Sequence, residues 1–271
     1  MAIFQVPTFS ADSRGNRVEE YQLFKLMNHD TLDQFIFLRG PVEAAWQFQL
    51  AGDCVSHEVP VNMAEEWTHA FRFPEPLAPK FCDLAEILKS VLSLTRKDPL
   101  DCAIACDWYK IPPDEQHPGW RNTKFGEMVH RGKYYGIGPA RVAARRDLLS
   151  EILRVLDEHP VYKSCDQIVT VPGHNADGKS FGEQLAARVA KDSGRILIMT
   201  QSTAGSRQQA KEAASMIPDG HFVMPGALHG DVIILDDVYR SGTTMSAVAK
   251  AAKAAGARRV FGFAPVRTMR N

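Results

Sequence analysis

Asp236 and Asp237 close the apolar run Val232-Ile-Ile-Leu235 and are followed by Val238-Tyr239-Arg240-Ser241-Gly242-Thr243-Thr244. Two adjacent carboxylates at a strand end can accept hydrogen bonds from a vicinal diol or hold a metal ion. The small and hydroxyl residues after them lead into a helix, where backbone N–H groups and hydroxyls form a cradle for phosphate. A diol reader beside a phosphate cradle fits ribose 5-phosphate. The plain alternative is an ordinary turn with a helix cap, or an apolar strand whose acids support the metal of a nucleotide.

A second loop follows Gln167-Ile-Val-Thr-Val171. There Gly173-His-Asn-Ala-Asp-Gly-Lys-Ser180 satisfies the spacing of a P-loop, with a strand before it and a helix after. Paired with Val232–Asp237, it describes an ATPase or kinase. In that reading Lys179 reaches the β- and γ-phosphates, Ser180 binds Mg²⁺, and Asp236 or Asp237 supports the metal. The turn Arg240–Thr244 has no task there.

The elements around both loops alternate. Leu148, Leu149, Ile152, Leu153 and Leu156 predict an amphipathic helix, 167–171 a strand, and Phe181, Leu185 and Val189 a helix. Strand 195–199, strand 232–235, helix 245–255 and strand 260–264 follow. Strands separated by helices imply βαβ units and a parallel sheet, with ligands at the carboxyl ends of the strands. Both candidate loops sit there. Upstream, Phe35–Leu38 and Trp46–Leu50 read as short strands. Leu84, Ile87, Leu88, Val91 and Leu92 read as a helix capped by Asp83.

The 271 residues balance 32 Lys/Arg against 32 Asp/Glu, which argues against a polybasic nucleic-acid coat. That balance conceals a split. Residues 1–120 hold 10 basic and 18 acidic residues, net −8, and residues 121–271 hold 22 and 14, net +8. The break follows the Pro- and Gly-rich stretch 111–119, predicting an acidic accessory or partner region, 1–120, and a ligand-binding domain, 121–271. The five cysteines include no Cys-x-x-Cys pair and are expected to pack rather than bind metal. No apolar run is long enough to span a membrane and no secretory signal is visible, so a cytoplasmic protein is expected.

Val232 to Thr244 resembles the phosphoribosyltransferase signature: four apolar residues, two acids, two further residues, then a hydroxyl-Gly-small-Thr turn. Weaker likenesses to the ComF-like subgroup of the type I family lie in Phe125-Gly-Glu-Met-Val-His-Arg-Gly-Lys-Tyr-Tyr135, Val171-Pro172 and Lys179-Ser-Phe181. The subgroup's cysteine-rich N-terminal ribbon is absent. The resemblance implies an α/β fold, a Rossmann-like parallel sheet with flanking helices, here with an N-terminal α+β extension. It implies that Asp236 and Asp237 contact the ribose hydroxyls of 5-phosphoribosyl 1-pyrophosphate (PRPP), and that Arg240, Ser241, Gly242, Thr243 and Thr244 hold its 5-phosphate.

By the same resemblance Pro172, Gly173, His174 and Lys179 contact pyrophosphate, with Lys133 and Tyr134 near the site. Mg²⁺ is held mainly through PRPP, with Asp236 and Asp237 as further candidate ligands. A lid is expected over 201–216, with Arg207 and Lys211 as its basic residues. The implied activity is pentosyl transfer from PRPP to a nitrogenous acceptor, an enzyme of nucleotide metabolism. A PRPP-binding regulator without catalysis, meeting a protein partner or a second copy through 1–120, requires the same loops. No groove-reading motif supports direct nucleic-acid binding.

Overall fold

The computed structural model describes residues 15–28, 31–73, 77–175, 177–203 and 217–269, so the lid candidates Arg207 and Lys211 lie outside the described residues. The chain divides into two compact units, one of residues 1–95 with 157–163 and one of 96–156 with 164–271.

The first unit is built on an antiparallel sheet. The long hairpin β1 (Glu20–Asn28) and β2 (Thr31–Arg39) is extended by β3 (Val55–His57) and β4 (His69–Phe73), in the order β1-β2-β4-β3. In β2, Phe35 and Phe37 pack with Trp67 and Ala70, while the intervening Ile36 and Leu38 are also fully buried. Both faces of this strand are therefore covered. Two helices, α1 (Val42–Leu50) and α2 (Pro79–Ser90), add an aromatic cluster in which Phe48 stacks on Phe71 at 4.9 Å and Phe73 meets Phe81 at 4.5 Å.

Two sequence expectations fail here. Trp46–Leu50 belongs to α1 and is not a strand; its buried residues Ala44, Ala45, Gln47 and Phe48 follow helical spacing. Five residues of apparent alternation do not separate the two periods. The cap of α2 is Ala78, with Pro79 at the first helical position, so Asp83 lies inside the helix. Proline is suited to that place because its missing N–H has no partner in the first turn.

The second unit is the α/β half. Its strands are β5 (Cys102–Trp108), β6 (Gln167–Thr170), β7 (Ile196–Ile198), β8 (Asp231–Leu235) and β9 (Arg259–Arg267). Its helices are α3 (Lys124–Tyr134), α4 (Pro139–Glu158), α5 (Phe181–Ser193) and α6 (Thr243–Ala254). The strands run in the order β5-β9-β8-β6-β7, every neighbouring pair parallel. Residues 232–235 and Phe261 and Phe263 are fully buried, as strands covered on both faces require.

The division falls earlier than the composition suggested. Strand β5 pairs with β9 from Cys102 opposite Phe261 to Trp108 opposite Arg267, so residues 96–120 belong to the parallel-sheet unit. Charge marks surface, whereas strand pairing decides membership. Among the described residues no helix is long and apolar enough to cross a membrane.

Candidate active site

From β6 the chain runs through α5 to β7 on one side; from β8 it runs through α6 to β9 on the other. Strands β6 and β8 are neighbours, with Thr170 opposite Leu235. Their outgoing loops diverge there, opening the crevice in which open α/β sheets bind ligands. The loops that part at this point are the two singled out by sequence, 171–180 and 236–242.

The two acids differ. Asp237 is buried, and its Oδ2 accepts from Lys133 Nζ at 2.6 Å. Burial alone would lower the Lys133 ammonium, but the Asp237 carboxylate outweighs it and holds the lysine above its usual range. Asp236 Oδ1 accepts the Asp237 N–H at 2.8 Å, and α5 closes over it. A Cβ on Gly182 would sit 3.0 Å from Asp236 Oδ1, so this position in the first turn of α5 admits no side chain without displacing the acid. Burial, reinforced by the neighbouring Asp237, raises Asp236 well above the ordinary carboxylate range.

The turn after the acids is rigidly placed. Val238 and Tyr239 pair in parallel with the end of β9, and Arg267 lies over the Tyr239 ring at 5.2 Å. Gly242 caps α6 at φ 75°, and a Cβ there would collide with the Tyr239 hydroxyl, so the turn requires glycine. Ser241 Oγ and Thr243 Oγ1 are 3.0 Å apart. Lys97 Nζ donates to Thr243 Oγ1 at 3.0 Å, and Ser246 Oγ donates to the Asp98 carbonyl. Lys97 thus brings a cation to the candidate phosphate cradle from 146 residues away. No local pattern marks it.

The loop after β6 is organised by Glu183, which sequence inspection passed over. Ser180 caps α5, accepting from Glu183 N–H at 3.2 Å and donating through its hydroxyl to Glu183 Oε2 at 2.6 Å. The same oxygen receives the Ser180 amide at 3.1 Å and the Gly173 amide at 3.4 Å. The Gly173 amide therefore turns inward, while Gly173 itself is half-buried and Pro172 buried. His174 and Lys179 are exposed on the loop, and so is Arg240 across the crevice; Thr244 is half-buried in the first turn of α6. Tyr134 is 63% exposed, its ring 5.6 Å from Lys133 Nζ. The capping signal (Ser, then Glu three residues on) was legible at 180 and 183.

No group of three or more His, Cys, Asp or Glu among the described residues could hold a metal ion. Beside the acids lies a cleft of about 380 Å³ lined by Tyr109, Lys110, Trp120, Arg240, Thr268 and Met269.

No family profile and no curated protein matches the chain. Solved structures similar to it include adenine phosphoribosyltransferase from Saccharomyces cerevisiae, 15% identical over 59% of this chain and 82% of that one, at a TM-score of 0.34. Another is adenine phosphoribosyltransferase from Thermoanaerobacter pseudethanolicus, 13% identical over 58% and 94%, at 0.33. A purine phosphoribosyltransferase from Pyrococcus horikoshii is 20% identical over 46% and 84%, at 0.30. At these identities and TM-scores the likeness assigns neither activity nor substrate.

Proposed function

We propose that the second unit binds PRPP with Mg²⁺ and transfers its phosphoribosyl group to a nitrogenous acceptor, releasing pyrophosphate. The observation that carries this reading is the position of both candidate loops at one topological switch point, on the adjacent strands β6 and β8. A ligand with a ribose diol, a 5-phosphate and a pyrophosphate has a group for each part of that crevice.

In this reading Asp236 and Asp237 take the ribose hydroxyls, and Ser241–Thr244 with Lys97 and Arg240 take the 5-phosphate at the start of α6. His174 and Lys179 face the pyrophosphate. Mg²⁺ on the pyrophosphate would neutralise the leaving group's charge; with Asp237 paired to Lys133, the ion depends chiefly on ligand oxygens. As the C1–O bond breaks, its electrons leave on pyrophosphate and C1 gains oxocarbenium character. The negative charge at Asp237 favours that developing positive charge. An acceptor nitrogen lone pair then forms the new bond to C1.

The P-loop alternative meets a specific obstacle. Ser180's hydroxyl and amide are both engaged by Glu183, whose carboxylate 2.6 Å away repels a phosphate. The test is calorimetric titration with Mg²⁺·PRPP and, in parallel, Mg²⁺·ATP, followed by pyrophosphate release with candidate acceptors. Micromolar PRPP binding that is lost in the Asp236→Asn, Asp237→Asn double variant is expected. ATP binding without PRPP binding would overturn the reading, and PRPP binding without turnover across acceptors would reduce it to a PRPP sensor.

A further inference from the structure

The cleft beside the acid pair is unlike the rest of the crevice. Two of its six lining residues are aromatic, Tyr109 and Trp120; two are cationic, Lys110 and Arg240; Thr268 supplies a hydroxyl and buried Met269 an adaptable apolar wall. Among the described residues its lining includes no carboxylate. Its volume, about 380 Å³, lies at the lower end of small-molecule sites, enough for one ring system with its substituents.

Two residues join it to the donor site. Arg240 belongs to the turn after the acids. Tyr109 lies close enough to Asp237 and Lys133 to feel both charges. Its position is secured by the backbone, because Tyr109 N–H donates to the Arg267 carbonyl at 2.7 Å and its own carbonyl accepts from Thr123 N–H at 3.2 Å.

We propose that this cleft holds the acceptor and selects a planar aromatic ring bearing a carboxylate in preference to a neutral purine. Rings stack on Tyr109 and Trp120 irrespective of identity, so the aromatics give affinity with little discrimination. Selection comes from charge. Lys110 offers its ammonium to the carboxylate, and Arg240, whose fork holds the 5-phosphate, adds positive charge to the cleft wall. A cationic ring is repelled, and a neutral one leaves Lys110 to water. The inference rests on the phosphoribosyl reading, since the transfer it describes is the same. The lone pair of the acceptor nitrogen, in the ring or on an exocyclic amine, bonds to C1, the C1–O electrons leave on pyrophosphate, and any N–H proton passes to solvent.

The experiment is titration of the full chain, with and without saturating Mg²⁺·PRPP, using orotate, 2-aminobenzoate and pyridine-2,3-dicarboxylate against adenine and hypoxanthine. Pyrophosphate release is measured alongside. At least one carboxylate is expected to bind tenfold or more tightly than either purine and to support release. Trp120→Leu should weaken that binding at least tenfold and Lys110→Gln several-fold, each variant melting within a few degrees of the wild type. Binding of purines in preference, no carboxylate binding under either condition, or carboxylate binding indifferent to both variants would overturn the inference. A protein that binds PRPP yet prefers purines leaves the phosphoribosyl reading standing; one that binds carboxylates through Trp120 but never PRPP removes that reading alone.

Discussion

Replacing Asp236 by Asn removes a carboxyl that burial and the neighbouring Asp237 hold well above the ordinary carboxylate range. Because its folded pKa lies above the unfolded value, its contribution to stability is present in acid and is lost as pH rises past the ordinary carboxylate range. The Asn variant should therefore be as stable as the wild type at pH 7, or more so, in thermal melts, while losing PRPP turnover. Asp237→Asn is expected to do the opposite to the fold. It strands the Lys133 ammonium, now 2.6 Å from its partner, and should cost about 1–2 kcal/mol in urea unfolding. A residue that strains the fold yet is needed for chemistry marks a functional position; equal destabilisation by both variants would contradict that distinction.

His159 supplies a second residue-scale prediction, in the first unit. It is fully buried, donates from Nε2 to Gln47 Oε1 at 2.8 Å, and is pushed down to about 3 by burial. Folded, it stays neutral; unfolded, it takes a proton below about pH 6.5. Stability should fall as pH drops from that value towards 3, by about 2 kcal/mol between pH 7 and pH 5. Urea titrations at the two pH values, repeated on His159→Gln, check it: the variant should lose the His159 share of the slope.

At the scale of elements, α5 is set by its cap. Ser180→Ala should cost about 1–2 kcal/mol, the usual loss for an N-cap with a buried partner, and leave PRPP binding nearly intact. A P-loop serine would instead lose nucleotide binding, so the same variant separates the two accounts of this loop. Helix α1 shows the limit of local pattern. Trp46, Phe48 and Leu50 alternate as a strand would, yet Phe48 is drawn into a helix by its stacking between Phe71 and Phe81, residues over twenty positions away. Strand β5 shows the converse. Cys102-Ala-Ile-Ala-Cys106 is a run of small apolar residues without alternation, and burial of all five, 102–106, explains why no period appears.

At the scale of the whole molecule, the division after residue 120 would cut through the parallel-sheet unit. A fragment of residues 121–271 lacks β5, the strand paired with β9 from Phe261 to Arg267. It also carries 157–163, which belong with the first unit, including the buried His159, Val161 and Tyr162. That fragment is expected to be poorly soluble and to lack a cooperative melt by circular dichroism, whereas the intact chain melts cooperatively. A well-folded 121–271 fragment would show that β5 and the first unit are dispensable.

The sequence by itself determined the two loops and the strands that end in them, because an apolar run closed by two acids and a small-hydroxyl turn is local chemistry with local geometry. It also determined the α/β alternation from 121 onward, since helix and strand periods are written over ten residues or fewer. Tertiary structure alone decided that β6 and β8 are neighbours at the switch point. It also decided that Lys133 neutralises Asp237, that Lys97 reaches Thr243, and that Tyr109 and Trp120 flank Arg240. Those pairings join residues from 65 to 146 positions apart. Such pairings are set by sheet order and burial, which no short window of sequence contains.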